Sequence, residues 1–331
     1  MKKVITILMP VMLLMIGCTT PKLSDLKETV GIEHQRIVLP TPFDSKYAEY
    51  SSICKLRDGI LLIPQYPERL KTDDTEGSFV LLNSEDLETY TTKDSTLELR
   101  CRRLPIKGLE TLHQINNYEG FEAAIADGDQ LYFTIEVGGE KPYSIAIKGI
   151  YLPEENQILL DEASQTVLDT PISLDNASYE SITLYKDRLY FFYEGNGINI
   201  NPNPYALSTD LNFGDVKQVP FPSLEYRITD ATSVSADGKF YVINYFWPGD
   251  AEKYKPAKDP ITMVENQETG VERLVPLRIL GGKIIPDTRF RVVTLEYADR
   301  NWEGIIGFND GFLIVTDKFP QTELLLVKNR R

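Results

Sequence analysis

YESITLYKDRLYFFYE, residues 179–194, runs strand-like, breaks at Lys186-Asp187, and returns through aromatic residues to a second glutamate. Alternation on both sides of a short polar turn is the signature of a β-hairpin. The stretch has relatives elsewhere in the chain. Aligned without gaps they are SSICKLRDGILLIPQ (51–65), EAAIADGDQLYFTIE (122–136), ESITLYKDRLYFFYE (180–194), DATSVSADGKFYVIN (230–244) and EGIIGFNDGFLIVTD (303–317). Asp58, Asp129, Asp187, Asp237 and Asp310 all fall on the eighth position. Three of them precede glycine, which suits a tight turn.

The copies start 71, 58, 50 and 73 residues apart. Each interval leaves room for two more strands. GSFVLLN and LELRCRRL follow the first copy, YSIAIKGIYL and QTVLDTPI the second, PYALSTDL and VKQVPFP the third, VERLVPLRIL and FRVVTLEY the fourth. TELLLVKN follows the fifth, whose missing strand is expected from the start of the chain, QRIVLPTP (35–42). No segment of ten or more residues outside the leader has convincing helical periodicity. The pattern predicts an all-β fold, a five-bladed β-propeller of four-stranded antiparallel blades closed by an N-terminal strand. Six blades would need a degenerate blade in one of the long intervals. A β-sandwich would leave the common register of the copies unexplained.

In a propeller the first strands converge on a central channel. The first position of each copy then forms a ring of Ser51, Glu122, Glu180, Asp230 and Glu303. The fifteenth position, on the returning strand, supplies Gln65, Glu136, Glu194, Asn244 and Asp317. Crowded carboxylates repel strongly at low dielectric, so they need a cation, shared protons or full solvation. Oxygen donors without His or Cys favour calcium over magnesium, which prefers a stricter octahedron. Ser51, Glu122, Glu180, Asp230 and Glu303 are therefore candidate ligands of an axial Ca²⁺. The competing reading is a solvated acidic rim, because acids are common beside turns. Glu136 and Glu194 are candidate proton acceptors if the site is catalytic. Glu119 is a spare acid. Tyr66, Arg69, Tyr179, Tyr193, Phe246, Trp247, Arg300 and Trp302 are candidates for the walls of an organic ligand pocket, each also explicable as core. The segment 247–260 reads as an insertion.

The chain opens MKKVITILMPVMLLMIGCTT: two lysines, a short apolar run, then Gly17-Cys18. This predicts a secretory signal over 1–17, too short and wrongly flanked for a spanning helix. Residues 18–34 read as a polar tether and 35–331 as one propeller domain. Cys54 lies in an apolar strand and reads as buried and free, although an exported chain could pair it with Cys101. The two histidines, His34 and His113, do not make a zinc site. A formal charge of -14 over 331 residues excludes a basic nucleic-acid surface and argues against an anionic membrane face. There is no P-loop, dinucleotide fingerprint or G-x-S-x-G elbow.

M-I-G-C resembles the lipobox of bacterial lipoproteins. The resemblance implies cleavage before Cys18, lipidation of its thiol, and a place in the bacterial cell envelope, with Thr19 pointing to the outer membrane. N301-W302-E303-G304 followed by DGFLIVTD, together with YEGFEA, resembles the phytase-like ("esterase-like activity of phytase") propellers. The ring order Ser, Glu, Glu, Asp, Glu is similar to that of calcium-activated apyrases, with Asp230 where that family has serine and Gln65 where it has an acid. These resemblances imply an envelope lipoprotein, touching the membrane through its lipid alone, with an axial calcium site; a monomer is expected. Its expected role is binding a small molecule, a glycan or a protein partner. The alternatives are calcium-dependent hydrolysis of phosphate esters or anhydrides, and glycan binding or hydrolysis.

Overall fold

The computed structural model describes residues 20–28, 32–265, 268–295, 300–318 and 322–329. The expected signal segment 1–17 and Cys18 lie outside them, as does part of FRVVTLEY. The described chain is mostly strand. β1 (Ile32–Ile37) comes first. β2 (Tyr50–Leu56), β3 (Gly59–Pro64), β4 (Gly77–Asn83) and β5 (Cys101–Lys107) form one antiparallel run, and β6 (Tyr118–Asp127), β7 (Gln130–Val137), β8 (Tyr143–Leu152) and β9 (Gln157–Asp169) the next. A short parallel pairing of Ile106 and Lys107 with Ile158 and Leu159 joins these two runs. The third sheet is β10 (Tyr179–Tyr185), β11 (Arg188–Tyr193), β12 (Tyr205–Thr209) and β13 (Lys217–Pro220). The fourth is β14 (Arg227–Ala231), β15 (Lys239–Phe246), β16 (Val271–Leu280) and β17 (Lys283–Pro286), with β18 (Val293–Thr294) also paired to β16. β19 (Trp302–Phe308), β20 (Gly311–Thr316) and β21 (Leu324–Asn329) complete the last sheet, and β1 pairs antiparallel on β21.

The fold is all-β and consistent with a propeller. The first strands touch in the order β2, β6, β10, β14, β19 and back to β2. Each apolar cluster is shared by two successive sheets. Phe79, Phe121 and Phe133 bridge the first two, for example, and Phe192 stacks on Phe240 between the third and fourth. No sheet buries its faces alone, which is why the repeat is cooperative.

Turn chemistry sets the hairpins. In 179–194 both Lys186 and Asp187 have positive φ (50° and 58°), the geometry whose twist matches the flanking strands. The four residues N301-W302-E303-G304 each have a distinct structural task. Asn301 donates to Asp317 at 2.9 Å, Trp302 is fully buried, Glu303 turns inward, and Gly304 lies against the neighbouring first strand. A Cβ on Gly304 would sit 2.9 Å from Ile53 N and 3.0 Å from Ser52 C.

Two expectations are corrected, and one short helix joins the strands. The fourth strand of the fourth sheet is β17, which follows the Gly281-Gly282 turn, and FRVVTLEY contributes only β18 within the described residues. An α-helix, α1 (Ser84–Thr92), stands between β4 and β5, capped by Asn83, which accepts from Asp86 N at 2.9 Å. At nine residues it is too short to show a period in the sequence. The polar tether is partly docked: Leu23 and Leu26 are buried with Val292 and Ile284 against the third and fourth sheets, and β1 begins at Ile32. Cys54 is buried and free, and Cys101 is free as well. Among the described residues no helix is long and apolar enough to cross a membrane.

Candidate functional site

The first position of every copy falls where the strand register slips. Ser51 lies between paired Tyr50 and Ser52, Glu122 between Phe121 and Ala123, Glu180 between Tyr179 and Ser181, and Glu303 between Trp302 and Gly304. In β14 the slip spans Thr229 and Asp230. A β-bulge bends the strand and re-aims one side chain. Repeated around the first strands, it turns these residues out of the sheets toward the centre.

A pocket of about 630 Å³ opens there, and Ser51, Glu122, Glu180 and Glu303 line it, with Gln65, Glu136 and Asp317 from the fifteenth position. Asp230 departs from the set. Its Oδ1 accepts from Ala231 N at 2.8 Å, and its Oδ2 from Ile305 N at 2.8 Å and from Ser52 at 3.4 Å. It tethers the fourth sheet to the fifth and first. Asn244 is likewise structural, donating to the carbonyls of Glu225 and Arg227. Ser51 Oγ donates weakly to Ile63 O at 3.4 Å.

Arg227 supplies the positive charge at the centre. Its Nη2 donates to Glu180 at 3.2 and 3.3 Å, its Nε to Glu194 at 3.0 Å, and Glu303 lies 3.8 Å away. The side chain is 14% exposed. Glu194 also accepts from the Tyr254 hydroxyl and lies 3.6 Å from Lys253 Nζ. Tyr254 and Lys253 belong to the insertion, whose short helix Ala251–Tyr254 sends the buried tyrosine toward the axis. Burial opposes ionisation of Glu194, but Arg227, a hydrogen bond from the Glu180 carboxyl, Lys253 and the tyrosine hydroxyl outweigh it and hold its carboxyl down to about 2. Glu194 is therefore committed to its partners and poorly disposed to accept a proton.

Glu180 thus has Arg227, whereas among the described residues no cation pairs with Glu122 or Glu136 on the other side of the ring. Glu122, Glu136 and Glu180 each offer an oxygen within 4.8 Å of the others. Glu122 accepts from Gln65 Nε2 at 2.8 Å, a bond an acid at that position could not give when ionised. Glu136 Oε1 is fully buried and has no hydrogen-bond partner. Burial, then the nearby Glu194, push Glu136 up to about 8, and burial with Asp317 carries Glu303 to about 8 against the pull of Arg227. Burial also raises Glu122 and Glu180 well above the ordinary carboxylate range.

Of the proposed wall residues, Tyr66 and Trp247 line the pocket, joined by Tyr245. Arg69 stacks on Tyr66 at 4.0 Å and pairs with Glu49 at the rim. Tyr179, Tyr193, Phe246 and Trp302 are core. Arg300 faces away, 3.3 Å from Glu323. Glu119 packs over Gly138.

No protein-family model matches the chain, and no curated protein matches it in sequence. Solved structures with a similar chain path include the Myxococcus xanthus glutaminyl cyclase, at 10% identity and TM-score 0.46, covering 91% of this chain and 98% of that one. The soluble aldose sugar dehydrogenase of Escherichia coli aligns at 12% identity and TM-score 0.47, covering 90% and 100%. A glycosyl hydrolase from Bacteroides ovatus aligns at 7% identity and TM-score 0.47, covering 92% and 97%. At such low identity and TM-score the likeness says nothing of activity.

Sequence reading missed Arg227, Lys253 and Tyr254. Arg227 stands three residues before the first position of its copy, as Arg300 does in the last copy. The pattern alone offered two equivalent arginines, of which one reaches the axis.

Proposed function

We propose that this chain is a five-bladed propeller, closed by β1 and carried in the bacterial envelope on a lipidated Cys18, whose axial pocket binds a small ligand around a calcium ion. The cyclic contact of the five first strands and the pairing of β1 with β21 support the blade count and the closure. The lysine-led apolar leader ending at Gly17-Cys18 supports the anchor. Replacing Cys18 with serine is then expected to move the protein from the membrane pellet to the soluble fraction. An unchanged distribution would remove the anchor from the proposal.

The cation reading rests on one observation: Glu136 Oε1 is buried and unpartnered beside Glu122 and Glu180. Each isolated buried carboxylate oxygen costs free energy that a cation recovers. Three carboxylates leave several of calcium's six to eight positions for water or ligand oxygens, which suits an open pocket. Ser51 and Glu303 line the same space, whereas Asp230 is taken up by backbone amides.

Phosphate-ester hydrolysis has less support. The cations lining the pocket are Arg227, already shared among Glu180, Glu194 and Glu303, and Lys318, paired with Glu49. Calorimetric titration of chelator-treated protein with Ca²⁺ is expected to show one site, weakened at least about tenfold (about 1.4 kcal/mol) by Glu136→Gln. No heat, and no calcium-dependent rise in melting temperature, would refute the cation reading.

A further inference from the structure

The remaining walls of the pocket carry information about what fills it. Trp247 lies at the mouth and is 53% exposed, an unusual state for the largest aromatic side chain. Its indole is seated on Gly249, where any Cβ would overlap the ring. Pro248 between them fixes the backbone. The ring therefore stands at the mouth with one side on Gly249 and much of its surface open, and a flat apolar face already placed there lowers the entropic cost of binding.

Opposite chemistry lines the same space. Gln65, Asn176, Asn301 and Asp317 are planar amide or carboxylate groups. Gln65 Nε2 is engaged by Glu122 and Asn301 Nδ2 by Asp317, which leaves amide carbonyl oxygens as acceptors, Asn301 Oδ1 among them buried without a partner. The surplus of carboxylates disfavours an anionic ligand, whereas hydroxyl groups can donate to every one of them. The volume, about 630 Å³, is far more than a bare ion needs and falls in the usual range for small-molecule pockets.

We infer that the axial ligand is a neutral saccharide, or a polyol of the same chemistry. The apolar C–H face of the ring lies on Trp247. Its hydroxyls donate to the planar acceptors, and a hydroxyl or the cation with its shell satisfies Glu136 Oε1, which is buried and lacks a partner. The inference deepens the cation-centred reading and rests on it for the role of Glu122, Glu136 and Glu180. The Trp247 contact does not depend on it.

The chain carries an internal probe. It has two tryptophans, and Trp302 is fully buried, so acrylamide reaches Trp247 selectively and Trp247→Ala shows how much of a ligand-induced change comes from Trp247. The full chain is titrated with short neutral oligosaccharides of glucose, mannose, galactose and xylose, with Ca²⁺ and with chelator, alongside inorganic phosphate and spermidine. At least one saccharide is expected to give a saturable change and to shield Trp247 from acrylamide. By calorimetry its affinity should fall about tenfold in Trp247→Ala and recover in part in Trp247→Phe. Absence of response across the saccharides while Ca²⁺ still binds would overturn the ligand class and leave the cation reading standing. Saccharide binding without any calcium binding would do the reverse. Binding indifferent to Trp247→Ala, or a response to phosphate or spermidine alone, would also overturn the inference.

Discussion

Arg227→Met is expected to cost the fold about 3–5 kcal/mol at neutral pH, measured as a lower urea midpoint with little change in slope. Methionine keeps much of the volume and removes the charge. Three acids then lose their shared partner: Glu180 at 3.2 Å, Glu194 at 3.0 Å and Glu303 at 3.8 Å. Glu194 suffers most, because it is fully buried and Arg227 is the largest of the groups that hold it ionised. A charge left unpaired in the interior is the expensive half of a broken buried pair. Adding Glu194→Gln to Arg227→Met should therefore restore part of the loss, giving a coupling energy in a double-mutant cycle. If Arg227→Met loses less than about 1 kcal/mol, water reaches the ring and the pair is weak, as exposed pairs are.

Stability of the cation-free protein is expected to fall as pH rises from about 4.5 to about 8. The direction follows from linkage. Glu136 and Glu303 are lifted from an ordinary 4.5 to about 8 when folded. Between those values the native state holds protons that the unfolded chain has released, so raising the pH favours unfolding. Each such proton contributes a slope of up to about 1.4 kcal/mol per pH unit, and Glu122 and Glu180 are raised in the same sense. Glu194 acts oppositely. Its contribution is full above the ordinary carboxylate range and is lost as pH falls from about 4.5 to about 2. Denaturation in chelator at about pH 5, 7 and 9 should show the decline, flattened by Glu136→Gln. Stability that is flat or rises across this range would contradict the burial of unpaired acids. Added Ca²⁺ should oppose the decline, because its ligands bind best when deprotonated.

Much of the fold was legible because its signals are local. GSFVLLN, YSIAIKGIYL and VERLVPLRIL coincide with β4, β8 and β16, since each is an apolar run bounded by turn residues. The Gly281-Gly282 turn that starts β17 was equally local, but its four-residue strand is shorter and less apolar than FRVVTLEY nearby. The bulges were not legible as bulges. They entered as a shared first position, and that position carries the inward-facing acids. Leu23 and Leu26 looked like tether residues because two leucines in a polar segment bury nothing until a groove exists to receive them.

The sequence by itself determined the repeat, the hairpin turns and which residue types occupy the first and fifteenth positions, because alternation and turn chemistry are properties of neighbours along the chain. Tertiary structure decided the charge state of the centre. Arg227 and Arg300 hold the same place in their copies, yet the first reaches Glu180 and Glu194 while the second turns to Glu323. Which carboxyl is ionised depends on burial and on the cation that reaches it from another sheet, and those distances exist only after the sheets have packed around one another.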